Sequence, residues 1–219
     1  DVHPIGGVVP LMEQQRYADL AQIIIAAKKG LPPGRPVHLF GAGHPMVFAL
    51  AVALGCDLFD SAAYIKFAND GRLLYPDGTR HLEDMEELAC GCPVCSQHTA
   101  DELRDTDGER CVELLAWHNL WQTFTEMRQI REAIRGGWLW ELVERRAVAH
   151  PALLEAMEVV ASHRQWLEHW EPISTTRAFM YTGHFSLRRP SIERLHRRLL
   201  EQFSFSFPST VVIEEPQKP

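Results

Sequence analysis

Three of the five cysteines in this chain of 219 residues fall within six positions, Cys90-Gly91-Cys92-Pro93-Val94-Cys95. Thiolates crowded on one tight turn suit a metal ion in a reducing compartment, whereas a disulfide scaffold spreads its cysteines along the chain. Zinc takes four sulfur and nitrogen ligands as a tetrahedron, and a closed set of four marks an ion that holds structure rather than one that reacts. A fourth ligand is therefore expected. His98 and His118 lie downstream and His81 upstream. His98 stands so close to Cys95 that the backbone would have to fold back sharply. His118 falls in a long helical stretch, where ligation would staple the cysteine turn to a helix, so it is preferred. Cys56 and Cys111 sit in apolar periodic surroundings and read as small core residues.

A second candidate is a carboxylate. In parallel α/β folds, chemistry gathers at the C-terminal ends of the strands. Three such ends are predicted: Val9-Pro10, the Phe40–His44 turn and Asp60-Ser61. Asp60 is the only carboxylate among them. At a strand end it can attack an electrophilic sugar carbon and form a covalent glycosyl intermediate; otherwise it caps the next turn. His38 and His44 flank Gly41-Ala42-Gly43, a turn that either cradles a phosphate at a helix N-terminus or packs closely. The lysine and hydroxyl of a Walker loop are missing, which favours close packing. Gly6-Gly7 permits a close backbone approach, to a flat ligand or to a neighbouring strand.

The elements that must position these residues follow from periodicity. Ile5–Val9 reads as a buried strand, Tyr17–Lys29 as a helix with Leu20, Ile23, Ile24 and Ala27 on its apolar face, and Val37–Phe40 as a second strand. Met46–Leu54 is a helix stopped by Gly55, and Leu58–Asp60 is a third strand. Strand alternating with helix predicts parallel pairing with right-handed crossovers, an α/β class. Residues 70–98 break the rhythm and read as a small β-rich insertion around a metal. Leu115, Leu120, Phe124, Met127, Ile130 and Ile134 form an amphipathic stripe, and Gly136-Gly137 separates it from a helix over Leu139–Val148. A last helix is expected from Pro151 to Trp170, and Glu214–Pro219 is expected to be disordered.

Composition bounds the class. With 46% hydrophobic and 23% charged residues, the chain reads as an ordinary globular protein. No apolar run approaches the roughly 20 residues that span a bilayer, and residues 1–15 lack a secretory pattern, so no membrane partner and a cytoplasmic location are expected. The first residue is Asp rather than Met, which points to a piece of something longer. Three strand–helix steps also fall short of the eight that close a barrel. A net charge of −7 argues against a general nucleic-acid footprint. Residues 177–198 nevertheless gather Arg177, Arg188, Arg189, Arg194, Arg197 and Arg198 with Glu193 as the only acid, either a local basic face or a solvated helix surface.

Three stretches together resemble the archaeosine tRNA-guanine transglycosylase family: Arg35 to Pro45 (RPVHLFGAGHP), Asp57 to Ala62 (DLFDSA), and the cysteine turn with His118-Asn119-Leu120. The similarity extends over about residues 4–170. It implies a (β/α)8 barrel carrying a zinc subdomain, of which this chain supplies the C-terminal part. Residues 1–69 would be the last strand–helix units and 70–135 the zinc subdomain with its helix. Residues 136–172 would be the closing helices, and 173–219 the start of a further, partly disordered region. The resemblance also assigns roles. Asp60 would attack C1′ of the target ribose and expel guanine, and preQ0 would then displace the enzyme. Gly7, Val8 and Val9 would face the base with their backbone. Cys90, Cys92, Cys95 and His118 would hold one structural zinc ion. The target base would be flipped out of its tRNA. The family's other active-site aspartate lies in the earlier barrel half, so this chain alone is expected to be inactive. It would work as a homodimer or with a chain carrying the first half. Three competing readings are the paralogous archaeosine synthase, a non-catalytic zinc-bearing subunit that binds tRNA or dimerises, and a plain zinc interaction module. The family's synthase paralogue is degraded at motifs that are intact here. Asp60 would be superfluous in a non-catalytic subunit, and a zinc module leaves the strand-end motifs unexplained.

Overall fold

The computed structural model of the chain describes residues 1–202 and Ser204; the expected disorder of Glu214–Pro219 lies outside the described residues. Short apolar runs that follow turns become strands, and each is succeeded by a helix. The order is β1 (His3–Ile5), α1 (Val9–Glu13), α2 (Tyr17–Gly30), β2 (Val37–Leu39), α3 (Pro45–Ala53), β3 (Leu58–Phe59) and α4 (Ala63–Asn69). The three strands pair in parallel in the order β1-β2-β3, with Ile5 opposite Leu39 and Leu39 opposite Phe59. The α/β class and the parallel pairing thus stand.

Several boundaries differ from expectation for physical reasons. The first strand stops at Ile5, because Gly7 turns the chain at φ +72° and Pro10 settles into the first turn of α1. Val8 and Val9 therefore open a helix instead of ending a strand. In α2 the buried face is Tyr17, Leu20, Ala21, Ile24 and Ile25, while Ile23 is exposed and Ala27 only half-buried. The stripe shifts toward a later helix, over Pro151–Ser162, against which α2 mainly packs. Gly55 does stop α3, at φ +98°.

Beyond α4 an antiparallel hairpin, β4 (Arg72–Tyr75) and β5 (Gly78–His81), leads through a 3-10 turn and the cysteine loop to α5 (Ala100–Arg104). Thr99 and Glu102 close a reciprocal cap at the start of α5. The long α6 (Gly108–Arg135) then serves two cores. Leu114, Leu115 and Ala116 join the hairpin and the cysteine loop, while Ile130 and Ala133 join the core of the parallel sheet. Phe124 and Ile134, expected on its apolar stripe, are exposed. Gly136-Gly137 breaks α6 from α7 (Leu139–Ala147), and α8 follows at Pro151–Ser162. The expected helix to Trp170 divides at His163 into α8, the short α9 (Arg164–Leu167) and a 3-10 turn. A final helix, α10 (Pro190–Glu201), lies along α9. No described helix is long and apolar enough to cross a membrane.

Candidate active site and metal centre

Asp60 follows the last residue of β3, and its side chain is 61% exposed. The turn after β2 approaches it closely and admits no side chain at Gly41 or Gly43. A Cβ on Gly41 would collide with Val9, and one on Gly43 with Ser61 and Ala63. Gly41 also adopts φ +73°, a region that favours glycine. The glycine turn is thus a close-packing device. What it achieves is to point the Gly41 N–H at Asp60 Oδ1, 3.2 Å away. Asp60 faces a cavity of about 500 Å3 whose walls include Val9, Gly41, His44, Lys66 and Arg72. A carboxylate presented to a cavity that Lys66 and Arg72 also line can serve as a nucleophile or a base with room for a substrate.

Two histidines shape the same cavity in one way. His44 precedes Pro45 and His150 precedes Pro151; each accepts a hydrogen bond on Nδ1 from the backbone two residues on, at 3.2 Å. Proline at the first helical position leaves the neighbouring amide free to be capped by an imidazole. An accepting Nδ1 carries no proton, so a neutral ring must carry it on Nε2. Burial first, and then the charge of Arg72, push the His44 imidazole down to about 4, so it is neutral near pH 7. Both residues line the cavity.

The cysteine centre is built from the loop after β5 and one residue of α6. The ligand atoms of Cys90, Cys92, Cys95 and His118 all lie within 4.8 Å of one another. His118 Nδ1 is 3.5 Å from Cys92 Sγ and 3.2 Å from Cys95 Sγ. Tetrahedral zinc with bonds of about 2.0–2.3 Å places its ligands roughly 3.5–3.8 Å apart, so this donor set fits. The supports around it also fit. His118 Nε2 meets Leu74 O at 3.0 Å, which holds the proton there and turns the Nδ1 lone pair to the sulfurs. Gln122 donates to Cys90 Sγ at 2.9 Å, and the amides of Cys92 and Cys95 point at sulfur. A hydrogen bond from the Cys95 thiol outweighs burial and pushes the Cys92 thiol down to about 3, while the donating Cys95 thiol is pushed up. One thiolate is thus already favoured; a dication would favour all three.

Next to His118, Asn119 is fully buried. It accepts from Leu74 N at 2.7 Å and donates to the carbonyls of Tyr64 and Arg72, locking the hairpin and α4 onto α6. His98 is outside the four-residue group. Of the residues expected to face a base, Val9 lines the cavity with Asp60, Val8 is buried and Gly7 is exposed. Sequence reasoning missed His150, Lys66 and Arg72 as cavity residues, and the repeated His-Pro dipeptide was the available signal for the first.

The arginine-rich segment is mostly neither a basic face nor a solvated one: Arg177 and Arg198 are exposed, but the other four are paired. Arg189 is buried on Glu141 and Glu144, and Arg194 on Glu168, which also takes Arg197; Arg188 pairs with Glu158. These acids belong to α7, α8 and the turn after α9, so the charges fasten the last segment to the helices. Charge counted along the sequence could not see partners distant in sequence.

Comparison with known proteins agrees with this geometry. Residues 1–152 match the family model described as queuine tRNA-ribosyltransferase. The chain is 52% identical over 218 residues to the tRNA-guanine(15) transglycosylase of Methanosarcina mazei, covering all of this chain and 44% of that protein. It is 49% identical over 211 residues to the protein of that name from Thermococcus kodakarensis, covering 96% of this chain and 36% of the relative. The corresponding figures for Methanocaldococcus jannaschii are 54% over 202 residues, 91% and 31%. The chain therefore spans less than half the length of these relatives. On the match over most of its length, the chain belongs to the queuine tRNA-ribosyltransferase family.

Proposed function

We propose that this chain is the nucleophile-bearing portion of a tRNA-guanine(15) transglycosylase, a pentosyltransferase that exchanges guanine for preQ0 in tRNA. The observation that carries this is Asp60, an exposed carboxylate beyond a parallel strand, tethered by one oxygen and open to a cavity. Asp60 attacks C1′ of the target ribose; the C1′–N9 bond breaks, and its electron pair leaves with guanine, which takes up one proton. The incoming base then gives up its N9 proton and attacks C1′. The ester bond to Asp60 breaks and the carboxylate is restored, so the sugar configuration is retained overall. The target nucleotide must leave its stack to reach the carboxylate. Gly7, Val8 and Val9 present backbone beside the base, a role favoured by the exposed Gly7 and by Val9 in the cavity wall.

The four-ligand centre holds structural zinc in this reading, since three sulfurs and one nitrogen suit that ion and leave no open position. It staples the hairpin to α6 and supplies no reacting atom. The three-stranded sheet is the last part of a (β/α)8 barrel. Residues 1–69 are its final units, 70–135 the metal subdomain, 136–172 the closing helices and 173–219 the start of a further region. The rest of the barrel comes from elsewhere in the protein or from a partner chain. Among the described residues, β1 and β3 each have one unpaired edge, as this requires. A homodimer is supported by α6, where Trp117 and Phe124 are 60% and 57% exposed beside a shallow apolar depression of about 660 Å3 against α4.

The test is to supply tRNA and labelled base to the chain combined with the remaining barrel half, and to trap the aspartyl–tRNA complex under denaturing conditions. Exchange and a trapped complex that vanish in Asp60→Asn are the expected result. Undiminished exchange by that variant removes Asp60 from the reaction.

A further inference from the structure

We propose that His38 is a positioning residue for Asp60: together with the Gly41 amide it claims carboxylate oxygen Oδ1, so that Oδ2 is the atom that bonds to the ribose. The inference rests on the transglycosylase reading of Asp60 and adds which oxygen reacts and what orients it.

His38 lies in the middle of β2, paired in register with Leu58, two residues before Asp60 on the adjacent strand. Its Nε2 stands 3.0 Å from Asp60 Oδ1, the same oxygen that accepts from the Gly41 amide at 3.2 Å. Among the described residues no donor reaches Oδ2. The imidazole is steered by an edge-on contact with Phe40, ring centres 4.4 Å apart at 80°. Yet Nε2, although 3.0 Å from Oδ1, is buried without a completed hydrogen bond. A buried donor left unmade is costly, so completing the bond to Oδ1, already 3.0 Å away, is favoured. Donor–acceptor pairs of this kind commonly tighten only when substrate is bound.

The chemistry gives the two oxygens different work. Oδ2 forms the bond to C1′ as the C1′–N9 bond breaks, and Oδ1 becomes the carbonyl oxygen of the ester. When the second base attacks, the Oδ2–C1′ bond breaks and negative charge returns to both oxygens. Hydrogen bonds to a charged oxygen are stronger than those to a neutral carbonyl. Donors at Oδ1 therefore favour departure of the carboxylate while fixing the direction from which Oδ2 attacks. His38 touches neither base, so its loss should lower kcat and leave the KM for the incoming base in place.

The experiment compares three variants in the complete enzyme, the chain assembled with the rest of its barrel. His38→Leu removes the donor, His38→Gln restores an N–H at the reach of Nε2, and Asp60→Asn controls for the reaction itself. The expected result for His38→Leu is a fall in kcat of about tenfold to a hundredfold, the range for a misplaced reacting group. The KM for labelled guanine should stay constant, the trapped ester should persist longer after a chase of free base, and His38→Gln should recover most of the rate. If His38→Leu fails to fold, His38→Asn replaces it, since its shorter amide falls short of Oδ1 and must then be slower than His38→Gln. A kcat within twofold of the parent in His38→Leu, or equal rates for the two amides, overturns the role of His38 even where Asp60→Asn is inactive. An active Asp60→Asn overturns the underlying reading instead.

Discussion

At the cysteine turn all four donor atoms, the amides that support the sulfurs and the carbonyl that orients the imidazole come from residues 74–122 of one chain. At Asp60 the chain provides a carboxylate, one tethering amide and part of a cavity wall, while the sheet that carries them has two unpaired edges among the described residues. Both sites are presented by tight loops beside buried apolar residues, yet only the first is closed. The difference follows from what each would do in the proposed reading. A structural metal centre gains by satisfying every donor internally. A reacting carboxylate must stay exposed to a substrate, and its remaining walls can come from distant chain.

Five expected outcomes would break or sharpen this contrast. Removing a metal ligand should have the largest effect. Cys95→Ser should cost on the order of 10 kcal/mol of metal-linked folding free energy, read as lost metal stoichiometry and early melting of the hairpin region. A variant that keeps both its metal-free fold and its melting temperature would show that the centre is not closed by an ion. Asp60→Asn should do the converse. Exchange should fall on the order of 10⁴-fold, with metal content and melting temperature unchanged; a drop in stability would make Asp60 a structural cap.

A third region, the arginine latch, tests whether closure without metal behaves like closure with it. Arg189→Ala leaves Glu141 and Glu144 buried without their cation, at an expected cost of about 3–5 kcal/mol measured by denaturant unfolding. The latch should also respond to acid. Burial pushes the Glu144 carboxyl up, but hydrogen bonds from Arg189, Thr182 and Ser186 outweigh it and hold the carboxyl below its usual range. A depressed folded value stabilises above the unfolded pKa of about 4.3 and is lost as pH falls through the folded one. Hydrogen exchange over residues 182–189 should therefore quicken below about pH 4; constant protection there would mean that this segment does not depend on the Glu144 carboxylate. The smallest effect is expected at Arg110 and Glu113, an exposed pair three residues apart on α6. Glu113→Gln should shift stability by no more than about 0.5 kcal/mol, and a larger shift would indicate a partner surface there.

Residue types and local spacing were enough to nominate the candidate groups. Three cysteines in six residues are a metal signal without any fold, because ligand chemistry restricts which side chains can crowd together. The alternation of apolar runs and helical stripes likewise announced parallel strands, and Asp60 was legible as the one carboxylate at a strand end. What spacing could not supply was distance across the fold. That His118 and not His98 completes the donor set depends on α6 passing over the hairpin, fixed by Asn119. That His38 reaches Asp60 depends on the register of two strands. That four of the six arginines form ties to the helices depends on acids some 26 to 48 residues away along the chain. Donor identity is a property of each side chain and survives in one dimension; partnership is a property of packing, and only the folded chain decides it.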